Sequence, residues 1–267
     1  MKEIEINKEA WSLISKDHYE SFLKQFRDNT FRFNKIILDE LGDIKGKRII
    51  HLQCNTGADS IKLAQLGAIV TGVDLVPENI HYAKQMAKDL DVKNADFFES
   101  DIMELAEIHH EKYDIVFTSE GAIGWLPDLR KWGKTIKQLL KNDGFFYIFD
   151  VHPFYLAMDE QKFSKNQLEI KYPYFSKIPD ADNSIGGYAS KPREHLNYYW
   201  MYTISDVINS LTEVGLHIDF FNEYDQCICD MTDNMFVDDK NLFCNDFCKD
   251  RFPMSFSLKA RIYHMES

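Results

Sequence analysis

The sequence has little glycine and no surplus of positive charge. Only 12 of its 267 residues are glycine, and its formal net charge is −12. An acidic surface of this kind repels phosphate backbones, and a nucleic-acid partner would need a local basic patch to offset the repulsion. The most regular group of lysines recurs at helical spacing and indicates a solvated helix face: Lys131, Lys134, Lys137 and Lys141. We therefore expect no nucleic-acid partner.

Long apolar runs are also absent. No stretch approaches the roughly 18 apolar residues that a membrane span requires. Residues 1–13 carry charges where a secretory signal peptide would have its apolar core. These absences predict a cytoplasmic protein with no membrane partner.

The five cysteines lack the spacing of a structural zinc site. Cys227 and Cys229 form a CxC pair and Cys244 and Cys248 a CxxxC pair, whereas thiolate zinc sites commonly use CxxC. In the cytoplasm such residues are expected as reduced thiols. We predict no metal.

Between residues 48 and 151, short apolar runs alternate with helical patterns. This alternation predicts an α/β fold, with a parallel sheet covered on both faces by helices. Ligands of such sheets bind at the carboxyl ends of the strands, near the switch in strand order. The predicted strands are 48–53, 69–74, 95–100, 113–119 and 145–151, and the predicted helices between them are 58–66, 77–90 and 128–141.

The flanking parts of the chain show other patterns. Apolar spacing over 9–41 predicts two helices that break near 28–30. Segment 152–200 has little periodicity but many aromatic residues. The remaining predictions are a helix at 203–214 and an antiparallel pair of strands at 216–224 and 255–264, joined by an acidic loop at 225–253.

The length suits one large domain, or one domain with an added cap. We predict a single domain with four parts: an N-terminal helical cap (1–45), a cofactor-binding core (46–151), a lid-like insertion (152–200), and a closing helix with antiparallel strands (201–267).

The turn after the first predicted strand distinguishes two kinds of nucleotide cofactor. A dinucleotide needs glycine where this chain has Gln53, Asn55 and Ala58, so that its pyrophosphate can approach the following helix. Asp59 also places negative charge where a diphosphate would lie. S-adenosylmethionine has no phosphate and carries a sulfonium and an ammonium group. The turn therefore favours S-adenosylmethionine.

Acidic residues follow the next two strands. Asp74 is placed to accept hydrogen bonds from both ribose hydroxyls of such a cofactor, the alternative being an ordinary turn or cap residue. Asp101 is placed to accept from the adenine amino group, the alternative being a helix N-cap. Both roles of Asp101 can hold at once.

In combination these features resemble a class I S-adenosylmethionine-dependent methyltransferase, of the small-molecule type found in bacteria. The resemblance covers residues 40–151 and includes GAIVTGVDLVPENI, FFESDIMEL and YDIVFTSEGAIGWLPDLRKW. The family's acid and alternating glycines fall on His51, Gln53, Asn55 and Gly57, and only Gly57 matches. Asn55 tolerates a left-handed backbone, and Gln53 is expected to bond the methionine moiety.

The resemblance implies a Rossmann-like, seven-stranded, mostly parallel sheet with an antiparallel last strand. It also implies methyl transfer to a small molecule by in-line displacement, in which the protein chiefly supplies alignment and excludes water. A noncatalytic cofactor-binding protein is the alternative. The cofactor-binding residues implied are Gln53, Cys54, Asn55, Gly57, Asp59, Ser60, Asp74, Leu75, Asp101, Ile102, Ser119, Glu120, Gly121 and Trp125.

Two histidines are candidate catalytic residues. His152 follows the fifth strand, and an imidazole there has a pKa that suits a general base, although a structural role is the alternative. His195 is the second candidate. The aromatic segment around it is predicted to be a lid hinged at Gly186-Gly187, or else an ordinary packed insertion.

Overall fold

We describe a computed structural model of the chain, which covers residues 2–230 and 235–262. Its helices are α1 Lys2–Ser12, α2 Ser15–Arg27, α3 Lys35–Leu41, α4 Ala58–Gln65, α5 Pro77–Asp89, α6 Leu105–Ile108, α7 Leu129–Leu139, α8 Pro153–Leu156, α9 Glu160–Phe163 and α10 Ile204–Thr212. Its strands are β1 Arg48–Leu52, β2 Ile69–Asp74, β3 Ala95–Glu99, β4 Tyr113–Ser119, β5 Leu140–Val151, β6 Asp180–Ile185, β7 Arg193–Tyr199, β8 Leu216–Tyr224, β9 Phe236–Val237, β10 Phe243–Cys244 and β11 Ser255–Ile262.

Seven strands form the central sheet in the order β3-β2-β1-β4-β5-β11-β8. The pairs from β3 to β5 are parallel, and β11 is antiparallel to both of its neighbours. The predicted Rossmann-like sheet with an antiparallel last strand is therefore confirmed. No helix among the described residues is long and apolar enough to cross a membrane.

Alternate residues of the central strands supply two separate cores. Ile49 and Ile115 pack with α3, α4 and α5 on one face, while Ile50 and Val116 pack with α7 and α10 on the other. All four side chains are essentially buried. Successive strand residues point to opposite faces, so strands that are apolar throughout are what a sheet covered on both sides requires.

The N-terminal region has three helices rather than the two that were predicted. The break near 28–30 is present, where Asn29 has a φ of 54° after the end of α2. A second break separates α1 from α2 at residues 13–14. Ile14 is fully buried there while Leu13 is half-exposed, so the apolar spacing continues across the break and conceals it.

Segment 152–200 contains a β-hairpin that was not predicted from the sequence. Strands β6 and β7 pair antiparallel, and five of the six β6 residues are exposed. Without one buried face, the two-residue alternation that identifies a strand is lost. The side chain of Asn7 on α1 holds the hairpin through both the N–H and the C=O of Tyr198, at 2.7 and 2.8 Å.

The two late strands form the predicted antiparallel pair, in which β8 is the outermost strand of the sheet and β11 lies between β5 and β8. The acidic loop between them contains the short pair β9–β10. Residues 231–234 of that loop, and the last two residues predicted for the final strand, 263 and 264, lie outside the described residues.

Close packing beneath the β1 turn depends on a glycine in β2. A Cβ atom placed on Gly72 would lie 2.5 Å from Phe97 Cδ1 and 2.9 Å from Cys54 Sγ. A Cβ on Gly57 would also meet the Phe97 ring, at 2.8 Å. The absence of both side chains lets the turn settle onto the aromatic ring of β3.

We predict that Gly72→Ala lowers the free energy of unfolding by about 1–3 kcal/mol, the usual cost of overpacking a core. Urea unfolding followed by circular dichroism measures the change. In the Phe97→Leu background the added methyl group has more room, so the penalty of Gly72→Ala should shrink. An equal penalty in both backgrounds would show that Phe97 is not the obstacle.

Candidate active site

Functional groups gather where the strand order reverses. Strand β1 pairs with β2 on one side and with β4 on the other, so the chain reverses its course across the sheet between β1 and β4. Asp74 at the end of β2 is hydrogen-bonded there to the turn at residues 53–57, and Ser119 at the end of β4 is hydrogen-bonded to His51 of β1. This is the position at which parallel α/β sheets bind ligands.

The turn after β1 has an alternating left-handed backbone. Gln53, Asn55 and Gly57 have φ angles of 57°, 50° and 80°. A left-handed conformation costs a residue with a side chain roughly 1–2 kcal/mol, less for asparagine than for most. The fold therefore keeps the backbone shape of a glycine-rich turn with only one glycine in it.

Asp74 holds this turn in place. Its Oδ2 accepts from the backbone N–H of Asn55 at 2.8 Å, and its Oδ1 accepts from the N–H of Val76 at 2.9 Å and from the Asn79 amide at 3.1 Å. Burial raises the pKa of the Asp74 carboxyl, and these donors, with the N–H of Leu75, oppose that rise. The carboxylate links the ends of β1 and β2.

These contacts bear on the expected ribose role of Asp74. A carboxylate offers about four lone-pair sites, and the surrounding donors occupy most of them. A ribose diol would therefore have to displace or share the Asn79 amide. The Asn79 side chain also accepts from the Ser15 hydroxyl at 2.6 Å, so α2 is connected to the same carboxylate.

His51 carries a buried chain of hydrogen bonds toward Asp59. Its Nδ1 lies 2.8 Å from Ser60 Oγ and its Nε2 lies 2.9 Å from Ser119 Oγ. Burial lowers the pKa of His51 to about 3, so the ring is neutral at pH 7. The Ser119 hydroxyl bonds the Asp59 carboxylate. One arrangement satisfies every group: Ser60 donates to Nδ1, Nε2–H donates to Ser119, and Ser119 donates to Asp59.

Asp59 and Glu120 form an acidic pair beside the turn. Burial raises the pKa of Asp59 to about 6. Burial, followed by the nearby Asp59 charge, raises the pKa of Glu120 well above its ordinary range, while the amide of Asn34 donates to Glu120 at 3.2 Å. Glu99 at the end of β3 pairs with Lys8 at 3.0 Å, but within the described ranges Asp59, Asp74 and Glu120 take part in no ion pair. The site is arranged to receive positive charge.

The loop after β4 forms the opposite wall. Gly121 has a φ of 80°, and a Cβ atom placed on it would meet nothing within 4 Å, so its backbone borders open space. The Gln53 amide Nε2 donates to the carbonyl of Ala122 at 2.9 Å. Its Oε1 is buried and has no partner among the described residues. This acceptor is free for a ligand that donates.

The other predicted cofactor residues surround this centre. The Cys54 side chain is buried under the turn, Leu75 is partly exposed beyond β2, and Ile102 is buried beyond β3. Asp101 Oδ1 accepts from the N–H of Met103 at 2.8 Å. Asp101 thus stabilises a local turn rather than capping a helix, because the N-cap residue of α6 is Glu104; its second carboxylate oxygen is available for another donor.

Known proteins share sequence features with the part of the chain that forms most of this site. A sequence model of a family described as the methyltransferase domain matches residues 43–202. The chain belongs to this family. A ubiquinone biosynthesis O-methyltransferase of Haemophilus ducreyi is 31% identical over 129 residues, which cover 46% of this chain and 53% of the relative. The chain spans about half the length of the curated relatives it matches first.

Solved structures share the fold of this methyltransferase-family chain. An S-adenosylmethionine-dependent methyltransferase from Mesorhizobium loti superposes with a TM-score of 0.55 at 18% identity, over 84% of this chain and 94% of that one. DhpI, solved as a complex with S-adenosylmethionine and the ligand denoted HEP, gives 0.58 at 16% identity over 97% of both chains. At these identities the likeness establishes the fold.

Both candidate catalytic histidines of this family member have partners outside the turn. His152 Nδ1 accepts from the N–H of Phe154 at 3.1 Å, which caps α8, and its Nε2 lies 3.0 Å from Glu223 Oε1. His195 lies on β7, where its Nδ1 contacts the carbonyl of Leu196 at 2.7 Å. The structure does not bring the two rings together at the reversal point.

Aromatic residues cover the site from the N-terminal helices and the hairpin. Trp125 packs edge-on between Trp11 and Tyr199, with ring centroids 5.1 and 5.2 Å away. Tyr188 packs on His18, and its hydroxyl lies 3.2 Å from His18 Nδ1. Tyr19 lies farther out, stacked on Tyr82 and bonded to Asp89.

Four further residues of this site were not predicted from the sequence: His18, Asn34, Asp150 and Tyr188. Three of them reach the site from parts of the chain far from the core motifs, and no spacing rule connects them to the turn. Asp150 was visible as an acid at the end of the fifth apolar run, in the position that Asp74 has in β2. This similarity to Asp74 could have identified Asp150 as a residue of the site.

We predict that Asn55→Ala is less stable than Asn55→Gly by about 1 kcal/mol, because only glycine removes the cost of a positive φ. Both variants lose the same side-chain hydrogen bond to the Thr56 N–H, so their difference isolates the backbone conformation. Equilibrium urea unfolding of the two proteins provides the comparison. Equal stability would mean that position 55 has no left-handed backbone in solution.

A pH prediction follows from the neutral His51. Its folded pKa of about 3 lies below the unfolded value of about 6.5, so its stabilising contribution is complete above pH 6.5 and is lost as pH falls toward 3. Between pH 7 and pH 5 this costs about 2 kcal/mol. His51→Gln should lose correspondingly less stability over that interval in thermal unfolding. Parallel pH dependences of the two proteins would contradict a neutral buried ring.

Proposed function

We propose that this chain transfers a methyl group from S-adenosylmethionine to a small-molecule acceptor. The observation that carries the proposal is the left-handed turn of residues 53–57, tied to Asp74 and faced by acidic groups without an ion-pair partner in the described residues. A diphosphate would be repelled there, whereas a cofactor with a sulfonium and an ammonium group is attracted. Membership of the methyltransferase domain family supports the same assignment.

The residues present fit this cofactor. Asp74 would hold the ribose and Asp101, with its available oxygen, the adenine amino group. Asp59 and the unpartnered Oε1 of Gln53 would receive the ammonium group of the methionine moiety. When bound, the cofactor supplies an activated methyl group whose leaving group is a neutral thioether.

The protein's part in the reaction is alignment and exclusion of water. The acceptor would approach from the β4–β5 side, bordered by Glu120, Gly121 and Trp125, because a nucleoside held by Asp74 would lie toward β2 and in-line attack would come from opposite the sulfur. Partly buried aromatic rings on that side would help to exclude water. A sulfonium needs little further activation, so this route does not require a strong base. The catalytic roles of His152 and His195 remain predictions.

The acceptor class and the compartment complete the proposal. The net charge of −12 disfavours a nucleic acid as acceptor, so we infer a small molecule. The relatives named as ubiquinone biosynthesis O-methyltransferases act on small molecules by that title. All five cysteines are free thiols, which supports the cytoplasm as the compartment.

Calorimetry with S-adenosylhomocysteine and a methyl-transfer screen of metabolites test the proposal. We predict that the wild-type chain binds this nucleoside and that Asp74→Asn weakens binding at least tenfold, since a tenfold change corresponds to the loss of about one charge-assisted hydrogen bond. Asp96→Asn, which neutralises an exposed carboxylate on β3, is the matched control and should bind normally.

Unchanged affinity in Asp74→Asn would remove the ribose assignment. No binding by the wild-type chain would remove the proposed function. Binding without transfer to any metabolite in the screen would favour a noncatalytic cofactor-binding protein.

A further inference from the structure

Asp150 is a buried carboxylate beneath the loop after β4, and the proposed reaction assigns it no function. Asp150 is the penultimate residue of β5 and is 1% exposed. Its Oδ1 accepts from the N–H groups of Gly121 and Val151, and its Oδ2 accepts from those of Ala122 and Ile123 at 3.1 and 3.2 Å. Three successive loop amides thus point at one side chain.

The same loop is held from two other directions. The carbonyl of Ala122 accepts from the Gln53 amide of the β1 turn at 2.9 Å. The carbonyl of Gly124 accepts from the N–H of Trp200, directly after β7, at 2.7 Å. Ala122 therefore donates its N–H to Asp150 of β5 and accepts at its C=O from Gln53 of the β1 turn.

We propose that Asp150 is a positioning residue for methyl transfer: by collecting the amides of residues 121–123 it fixes the loop that aligns the cofactor turn with the acceptor side. This inference rests on the proposed function, because it concerns the same site. Without the carboxylate, three buried or partly buried N–H groups lose their acceptor, and the backbone next to Glu120 loses its fixed course.

Among the residues that the structure describes, no cation lies close enough to Asp150 to affect its pKa noticeably. The titratable groups that face it are Glu120 from the loop itself, Tyr199 from β7 and Cys227 after β8, and each feels its negative charge. Neutralisation of Asp150 would therefore relieve repulsion as well as remove acceptors. Because less repulsion would not disorder the loop, any disorder in an Asp150 variant would come from the lost hydrogen bonds.

Burial makes this contact sensitive to pH. The pKa of Asp150 is raised by burial to about 6, against the opposing effect of its four N–H donors. The ionised, strongly accepting form thus predominates above pH 6 and is lost as pH falls below it. The loop should be most ordered at neutral pH and loosen in mild acid.

The test compares Asp150→Asn with Thr118→Val. The amide keeps the size of Asp150, but its NH₂ group cannot accept from the loop. Thr118 is fully buried at the end of β4, its hydroxyl has no partner in the described ranges, and valine matches its shape. Hydrogen exchange of the 120–126 segment at pH 7.5 should accelerate at least tenfold in Asp150→Asn and remain unchanged in Thr118→Val.

Affinity for S-adenosylhomocysteine supplies a second readout. Asp150→Asn should bind at least tenfold more weakly at pH 7.5, and its Kd should rise less between pH 7.5 and 5 than the wild-type Kd does, because only Asp59 still titrates near pH 6 in the variant. Asp59→Asn removes the other carboxyl that titrates near pH 6; it should bind more weakly at every pH and keep the part of the rise that Asp150 causes. If Asp59→Asn abolishes the rise and Asp150→Asn retains it, Asp150 is not the positioning group.

The outcomes separate this inference from the proposed function. Wild-type binding with unchanged exchange and affinity in Asp150→Asn overturns the role of Asp150 alone. Absence of wild-type binding overturns the proposed function, and hydrogen exchange still decides whether Asp150 orders the loop. Should Asp150→Asn fail to fold, exchange of the wild-type segment between pH 7.5 and 5, corrected for intrinsic rates, decides the matter: constant protection overturns the proposal.

Discussion

The hydrogen bond from the Asn55 N–H to the Asp74 carboxylate is the contact on which the site depends. It fixes a turn in which two side-chain-bearing residues have a positive φ, a conformation that persists only when the surrounding structure enforces it. Through Asn79 and Ser15, the same carboxylate is connected to α2. The cofactor turn and the N-terminal cover are therefore parts of one hydrogen-bonded unit.

The same device occurs twice along the carboxyl edge of the sheet. Asp74 at the end of β2 and Asp150 near the end of β5 each collect backbone N–H groups from a neighbouring turn. Glycine-rich turns reach their shape through freedom of the backbone. Here, where most of the expected glycines are missing, buried acids supply a comparable constraint from outside the turn, at the cost of raised pKa values.

The core of the fold could be predicted because its signals are local. Apolar runs and their spacing locate β1 to β4 to within one residue, whereas β5 begins at Leu140, five residues before its predicted start. The ends of the first four strands identify the turn, Asp74 and Ser119. The hairpin β6–β7 was not predicted because most β6 residues are exposed, so the sequence shows no alternation of apolar and polar residues there. His18 and Tyr188 escaped because they meet across 170 residues of chain, a contact that no local pattern encodes.

Asp74 and Asp150 also show that the sequence can reveal which residue type stands at a site but not which groups it contacts. Asp74 was expected to grip a ligand, and its position is as expected, yet the structure shows most of its lone pairs engaged by the protein. Asp150 has the same chemistry at an equivalent place and was passed over as a strand residue. The chemical character of both carboxylates lies in the sequence, but the neighbours that engage them depend on the three-dimensional arrangement of the strands.

The insertion of β11 between β5 and β8 has a consequence for how the molecule is made. When a ribosome has synthesised β5 and β8, the strand that must join them is still missing, so both carry an unpaired edge inside the future sheet. Closing the sheet then pairs residues that are 104 positions apart at Ser255 and Val151 and 116 apart at Arg261 and Phe145, and contacts of such sequence separation form slowly. The nascent chain thus passes through an interval in which chaperones, or a second nascent chain, can reach the gap.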